Sequence, residues 1–179
     1  MKPAADEPIF KGETMKAIGK DGFTRPDKTT VPGKAFEVEL TTGDKIHVWR
    51  ADNGEDYFCH GLTFGGKAAP GGAISPYGRY VPTILRGYYE PVPEAEARAG
   101  DILVWRGPSA NDVIHSAILT DPGVLGGQNY LDEAARLQTK NGLAPETNMS
   151  LEEIISDFYG ESYNVFRKRA KPVPLRSEP

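Results

Sequence analysis

The run Ile102-Leu103-Val104-Trp105 places four apolar residues in a row without a polar break. A strand with one wet face alternates apolar and polar side chains, so an uninterrupted run predicts a strand covered on both faces. A chain containing it must pack material above and below one sheet. The 179 residues suffice for a single domain that does this, since domains commonly run about 100–200 residues.

The flanking patterns supply the rest of that domain. Phe36–Leu40 and Lys45–Arg50 alternate on either side of Thr41-Thr42-Gly43-Asp44, which predicts a β-hairpin. Phe36, Val38 and Leu40 share one face, and His47 falls among the surface positions of its strand. His115-Ser116-Ala117-Ile118-Leu119 predicts a strand antiparallel to the Ile102 run, ending at Asp121-Pro122-Gly123. Leu137-Gln138-Thr139-Lys140-Asn141-Gly142 reads as the next strand, ending at an Asn-Gly turn, and Tyr163–Arg167 as the last. Cys59–Phe64 reads as one or two helical turns stopped by Gly65-Gly66. Val81, Ile84, Leu85 and Tyr88 recur at helical spacing, with Pro82 in the first turn and Pro91 and Pro93 beyond the end. Ser150 and Glu153 form a capping-box pattern ahead of the stripe Leu151, Ile154, Ile155 and Phe158. The expected class is α+β. Residues 1–34 read as an irregular arm, 35–168 as the domain and 169–179 as a disordered tail. Residues 67–79 read as a long loop.

Composition excludes several functions. A net charge of −4 gives no basic face for nucleic acid. One cysteine forbids an intramolecular disulfide and a multi-cysteine zinc site, and Cys59, His60 and His115 are awkwardly spaced for zinc. No apolar run approaches the ~18 residues of a transmembrane helix. Met1 to Glu7 lacks the apolar core of a signal peptide, so synthesis into the cytoplasm is expected, with any export signal-independent. No cofactor is implied.

The chemistry-bearing stretch is Asp56-Tyr57-Phe58-Cys59-His60-Gly61, with His115 as its distant counterpart. A free thiol titrates near ~8.5 and needs a base to become a nucleophile at neutral pH. At a helix start, backbone N–H groups lower the thiol pKa and can stabilise an oxyanion. An imidazole on a facing strand would take the thiol proton and return it to the leaving group. A third polar residue would fix the imidazole tautomer. Gln138 fits that place by strand alternation, with Asn129 and Asn141 as rivals. His60 follows Cys59 directly, about 100° around the helix, and reads as a cleft-lining residue rather than a direct partner. Tyr57, Gly61 and Asn141 complete the expected substrate-binding set, the glycine by letting substrate approach the backbone.

The Cys59 stretch, then Ala99-Gly100-Asp101-Ile102-Leu103-Val104-Trp105, then His115-Ser116-Ala117-Ile118-Leu119, resembles the NlpC-type, papain-like cysteine hydrolases and their CHAP relatives. The resemblance covers roughly residues 55–142. It implies a papain-like fold, with an antiparallel sheet packed on the helix that carries the cysteine. It also implies a Cys59–His115 dyad or triad that hydrolyses amide bonds, with cell-wall peptides as the substrate class. Phe58 and His60 stand where those families often carry Asp and Ser, and no motif fixes the third residue. Papain-like folds also host deamidases and acyltransferases that act on proteins or lipids. A signal-free toxin or effector of either kind would have an inhibitory partner protein. A non-catalytic module in which Cys59 only packs is the remaining alternative.

Overall fold

The computed structural model describes residues 9–11, 15–108, 112–122, 135–159 and 163–175. Two antiparallel sheets and a small ribbon form its frame. The hairpin β4 (Gly33–Glu39) and β5 (Lys45–Ala51) is the centre of the first sheet, flanked by β1 (Lys16–Lys20) and β6 (Ser75–Pro76). β8 (Ile102–Arg106) lies within the second, six-stranded sheet. β9 (Val113–Asp121), β10 (Arg136–Thr139) and β11 (Thr147–Ser150) follow on one side of it, and β12 (Tyr163–Lys168) and β7 (Tyr89–Val92) on the other. The ribbon pairs β2 (Phe23–Thr24) with β3 (Thr30–Val31). The class is mixed α and β, with few helices: α1 (Cys59–Thr63), α2 (Val81–Tyr88) and α3 (Leu151–Ile154).

The Ile102 run does what its composition requires. Ile102 and Val104 face a core shared with Val38, Leu40 and Val48 of the hairpin and Val81, Ile84 and Leu85 of α2. Leu103 and Trp105 face a second core with Leu137, Leu119 and the α3 residues Leu151 and Ile154. Each face of β8 is thus apolar because each meets its own layer. The capping box is formed at α3: the Ser150 hydroxyl accepts from the Glu153 N–H, while the Glu153 carboxylate accepts from the Ser150 N–H.

Gly100-Asp101 is an anchor for β8. Gly100 sits at φ +96°, a conformation that L side chains avoid. The buried Asp101 carboxylate accepts from Arg167 Nε at 2.8 Å, Arg167 Nη2 at 2.9 Å and the Arg98 N–H at 2.9 Å, tying β8 to β12. Asp101→Ala leaves these donors without an acceptor and is expected to destabilise the fold by about 3 kcal/mol, read by urea denaturation.

Three segments differ from the sequence expectation. Residues 16–31 of the expected arm form strands, with β1 paired to β4 while all five of its residues stay exposed. The 67–79 loop contributes β6 and a turn of 3-10 helix at Gly66–Ala68. Residues 169–175 of the expected tail return along the body: the N–H groups of Arg169, Val173 and Leu175 bond the carbonyls of Tyr88, Gly87 and Thr42. Among the described residues no helix is long and apolar enough to cross a membrane.

Candidate functional site

α1 is short because its sequence stops it. Phe64 is followed by Gly65 at φ +82°, the left-handed conformation that closes a helix, and the Phe64 N–H bonds the His60 carbonyl. The helix lies close against the chain at Ile74 and Ser75. A Cβ on Gly61 would stand 2.6 Å from Ser75 Oγ, and one on Gly66 2.1 Å from the Ile74 carbonyl oxygen. The closeness that Gly61 permits is therefore between two segments of this chain, not between backbone and substrate as expected.

Cys59 and His60 are both buried and packed against β9. Cys59 Sγ lies 3.7 Å from His60 Nδ1, so the two side chains meet despite their angular separation on the helix. His60 Nε2 is 3.0 Å from the Val113 carbonyl, which can only accept a hydrogen bond. The neutral ring therefore carries its proton on Nε2 and turns the Nδ1 lone pair toward Cys59 and Ser116. Ser116 Oγ stands 2.7 Å from that nitrogen and 2.9 Å from Thr63 Oγ1. Burial pushes His60 down to about 4. Burial likewise pushes the Cys59 thiol up to about 11, outweighing the N–H groups of Ser116, His60 and Cys59 that favour the thiolate. The sequence expectation of a depressed thiol pKa is reversed: desolvation wins over a helix of one turn. The resting pair is a neutral thiol beside a neutral imidazole.

His115 makes no hydrogen bond to Cys59. Its ring is fully buried, stacks on Tyr159 at 3.9 Å and lies 5.3 Å from Trp105. Its Nε2 bonds Thr139 Oγ1 at 2.8 Å, while Nδ1 is buried without a partner. Burial, and secondarily the neighbouring His60, hold it down at about 3. The residue bonded to this imidazole is thus Thr139, not Gln138. Gln138 turns the other way and donates to Glu146 at 3.2 Å. Asn141 accepts from the Tyr159 hydroxyl at 3.4 Å. Tyr57 bonds Glu146 and carries Lys140 Nζ over its ring at 4.6 Å; burial, then Glu146, raise it to about 12. Asn129 lies outside the described residues.

Cys59 and His60 line a cavity of about 280 Å³ together with Phe23, Phe58, Gly142 and Tyr159. A second cavity of about 780 Å³ shares Phe23, Gly142 and Tyr159 with it and runs between the β2 end and the 141–144 turn. Phe23, from the segment expected to be an irregular arm, is fixed by Trp49 and Phe58 at ring separations of 5.8 Å. Sequence reasoning missed Phe23, Ser116, Thr139 and Tyr159. Of these, only Thr139 carried a usable signal, since it shares a strand face with the apolar Leu137. Among the described residues no group of three His, Cys, Asp or Glu side chains is arranged to hold a metal ion.

No family model matches the chain, and no match is found among curated proteins or solved structures.

Proposed function

We propose that the protein is a cysteine-dependent hydrolase of amide bonds in peptides, with Cys59 as nucleophile and His60 as the group that takes its proton. The observation that carries this reading is the contact of Cys59 Sγ with His60 Nδ1 in the wall of a cavity, with the imidazole tautomer set by the Val113 carbonyl. Sulfur attacks the substrate carbonyl carbon as its proton passes to Nδ1, and the departing amine takes that proton from the imidazolium. Water then hydrolyses the thioester, and the thiol is restored.

Ser116 supports the protonated form of His60. Its hydroxyl donates to Thr63 Oγ1 and its oxygen stands 2.7 Å from Nδ1, placed to accept from the ring once Nδ1 carries the Cys59 proton. The N–H groups of Cys59, His60 and Ser116 stand around the sulfur and support negative charge there. The order of Cys59, Gly100-Asp101 and His115 adds the resemblance to papain-like hydrolases. On that resemblance cell-wall peptides are the first substrates to try.

The test is to incubate the protein and its Cys59→Ala variant with peptidoglycan fragments and with a mixed peptide library, and to follow products by mass spectrometry. Cleavage by the parent and none by Cys59→Ala is expected. Cleavage that persists in Cys59→Ala removes the nucleophile, and Gln-to-Glu conversion without cleavage moves the reaction to deamidation.

A further inference from the structure

We infer that the larger cavity is a specificity pocket that receives one bulky apolar side chain, preferably aromatic, of a peptide whose adjacent carbonyl reaches Cys59. The inference rests on the hydrolase reading above and adds the class of residue recognised. Adjacency is the first argument: the two cavities share Phe23, Gly142 and Tyr159 as lining, so a peptide bound at Cys59 brings a neighbouring side chain beside the larger space. Size is the second. A cavity of about 780 Å³ lies within the ~300–1,000 Å³ of sites that enclose small ligands, so it admits a bulky side chain without steric exclusion.

The walls decide the chemistry. Phe23 and Tyr159 present rings, and Pro26 and Leu143 add apolar surface. Aromatic groups gain from ring contacts beyond the area they bury. Both rings are held in place, Phe23 by Trp49 and Phe58, and Tyr159 by the His115 stack, so the pocket is formed before anything enters. The charged groups on this wall do not call for a charged partner: the Asp27 carboxylate is bonded by the Thr29 N–H and hydroxyl, and Arg25 lies within its field. Asn141 supplies a polar edge. Its carbonyl accepts from Tyr159, and its amide, with only a weak 3.9 Å contact to Met149 Sδ, has capacity to donate to a peptide carbonyl.

Two measurements test this. In the first, the Cys59→Ala protein is titrated with N-acetyl-phenylalaninamide, N-acetyl-glutamylamide and octanamide, following backbone amide NMR signals of residues 23–27 and 141–144. Saturable shifts with the phenylalanine ligand, and weaker ones with the other two, are expected. In the second, the parent protein is alkylated with iodoacetamide and with N-benzyl iodoacetamide, each rate divided by that of N-acetylcysteine. The benzyl reagent should show an advantage of about tenfold or more, and Ala144→Trp, which intrudes on the pocket from its wall, should reduce that ratio. Equal corrected rates with no phenylalanine binding overturn the pocket while leaving Cys59 chemistry standing. Binding at these residues without any Cys59 labelling upholds the pocket and counts against the hydrolase. Tighter binding of octanamide replaces the side chain with an acyl chain and overturns the inference as stated.

Discussion

His60→Ala is expected to slow acylation of Cys59 by about 10²–10⁴-fold, the usual contribution of a positioned proton acceptor. The thiol is held near 11 by burial, so almost none of it is ionised at neutral pH, and attack requires that its proton leave in the same step. Within hydrogen-bonding reach of the sulfur stands one imidazole nitrogen with a lone pair, His60 Nδ1 at 3.7 Å. His60→Gln should restore part of the packing and none of the rate, which separates chemistry from folding. His115→Phe keeps a ring against Tyr159 and should cost far less rate than His60→Ala. Both are measured as the rate of p-nitrophenol release from p-nitrophenyl acetate. A rate that falls with His115→Phe and survives His60→Ala would return the role to His115, as the resemblance to papain-like hydrolases implies.

Acid is expected to destabilise the protein over a window that the two buried histidines define. In the unfolded chain both titrate near ~6.5. In the folded protein burial lowers them to about 4 for His60 and about 3 for His115. Between those values the unfolded state binds the extra protons, so stability falls as pH falls below ~6.5 and keeps falling until the folded-state values are reached. Each histidine contributes at most about 1.4 kcal/mol per pH unit there, so the pair gives roughly 2 kcal/mol from pH 6.0 to 5.0. From pH 6.0 to 5.0 carboxylates remain charged and add little. Urea denaturation at those two pH values should show the loss, and His115→Phe should halve the slope. A flat profile would mean that neither ring is held neutral by burial.

What the sequence revealed follows from how each element earns its stability. The β4–β5 hairpin and β8 are read from side chains because their side chains are buried, alternately in one case and on both faces in the other. β1 carries no such trace: its residues are exposed, and its backbone pairing with β4 holds it. β7 hides behind Pro91, which breaks a strand pattern yet is tolerated at the sheet's edge. At the site, the lone cysteine was conspicuous. The Cys59–His60 contact was not, because angular separation on a helix ignores how far a ring reaches back along its own turn. Gln138 and Thr139 differ by one position, and one position reverses the face of a strand. A register shift between Arg136 and Leu137 lies just ahead of them.

The measurement that bears most directly on Cys59 as nucleophile is intact-mass and peptide-mapped mass spectrometry of the protein during turnover of p-nitrophenyl acetate. The account predicts a single acetyl group on Cys59 that forms, is hydrolysed and forms again, with none in Cys59→Ala. A folded protein whose Cys59 stays unmodified, or is acetylated once and never released, would contradict it.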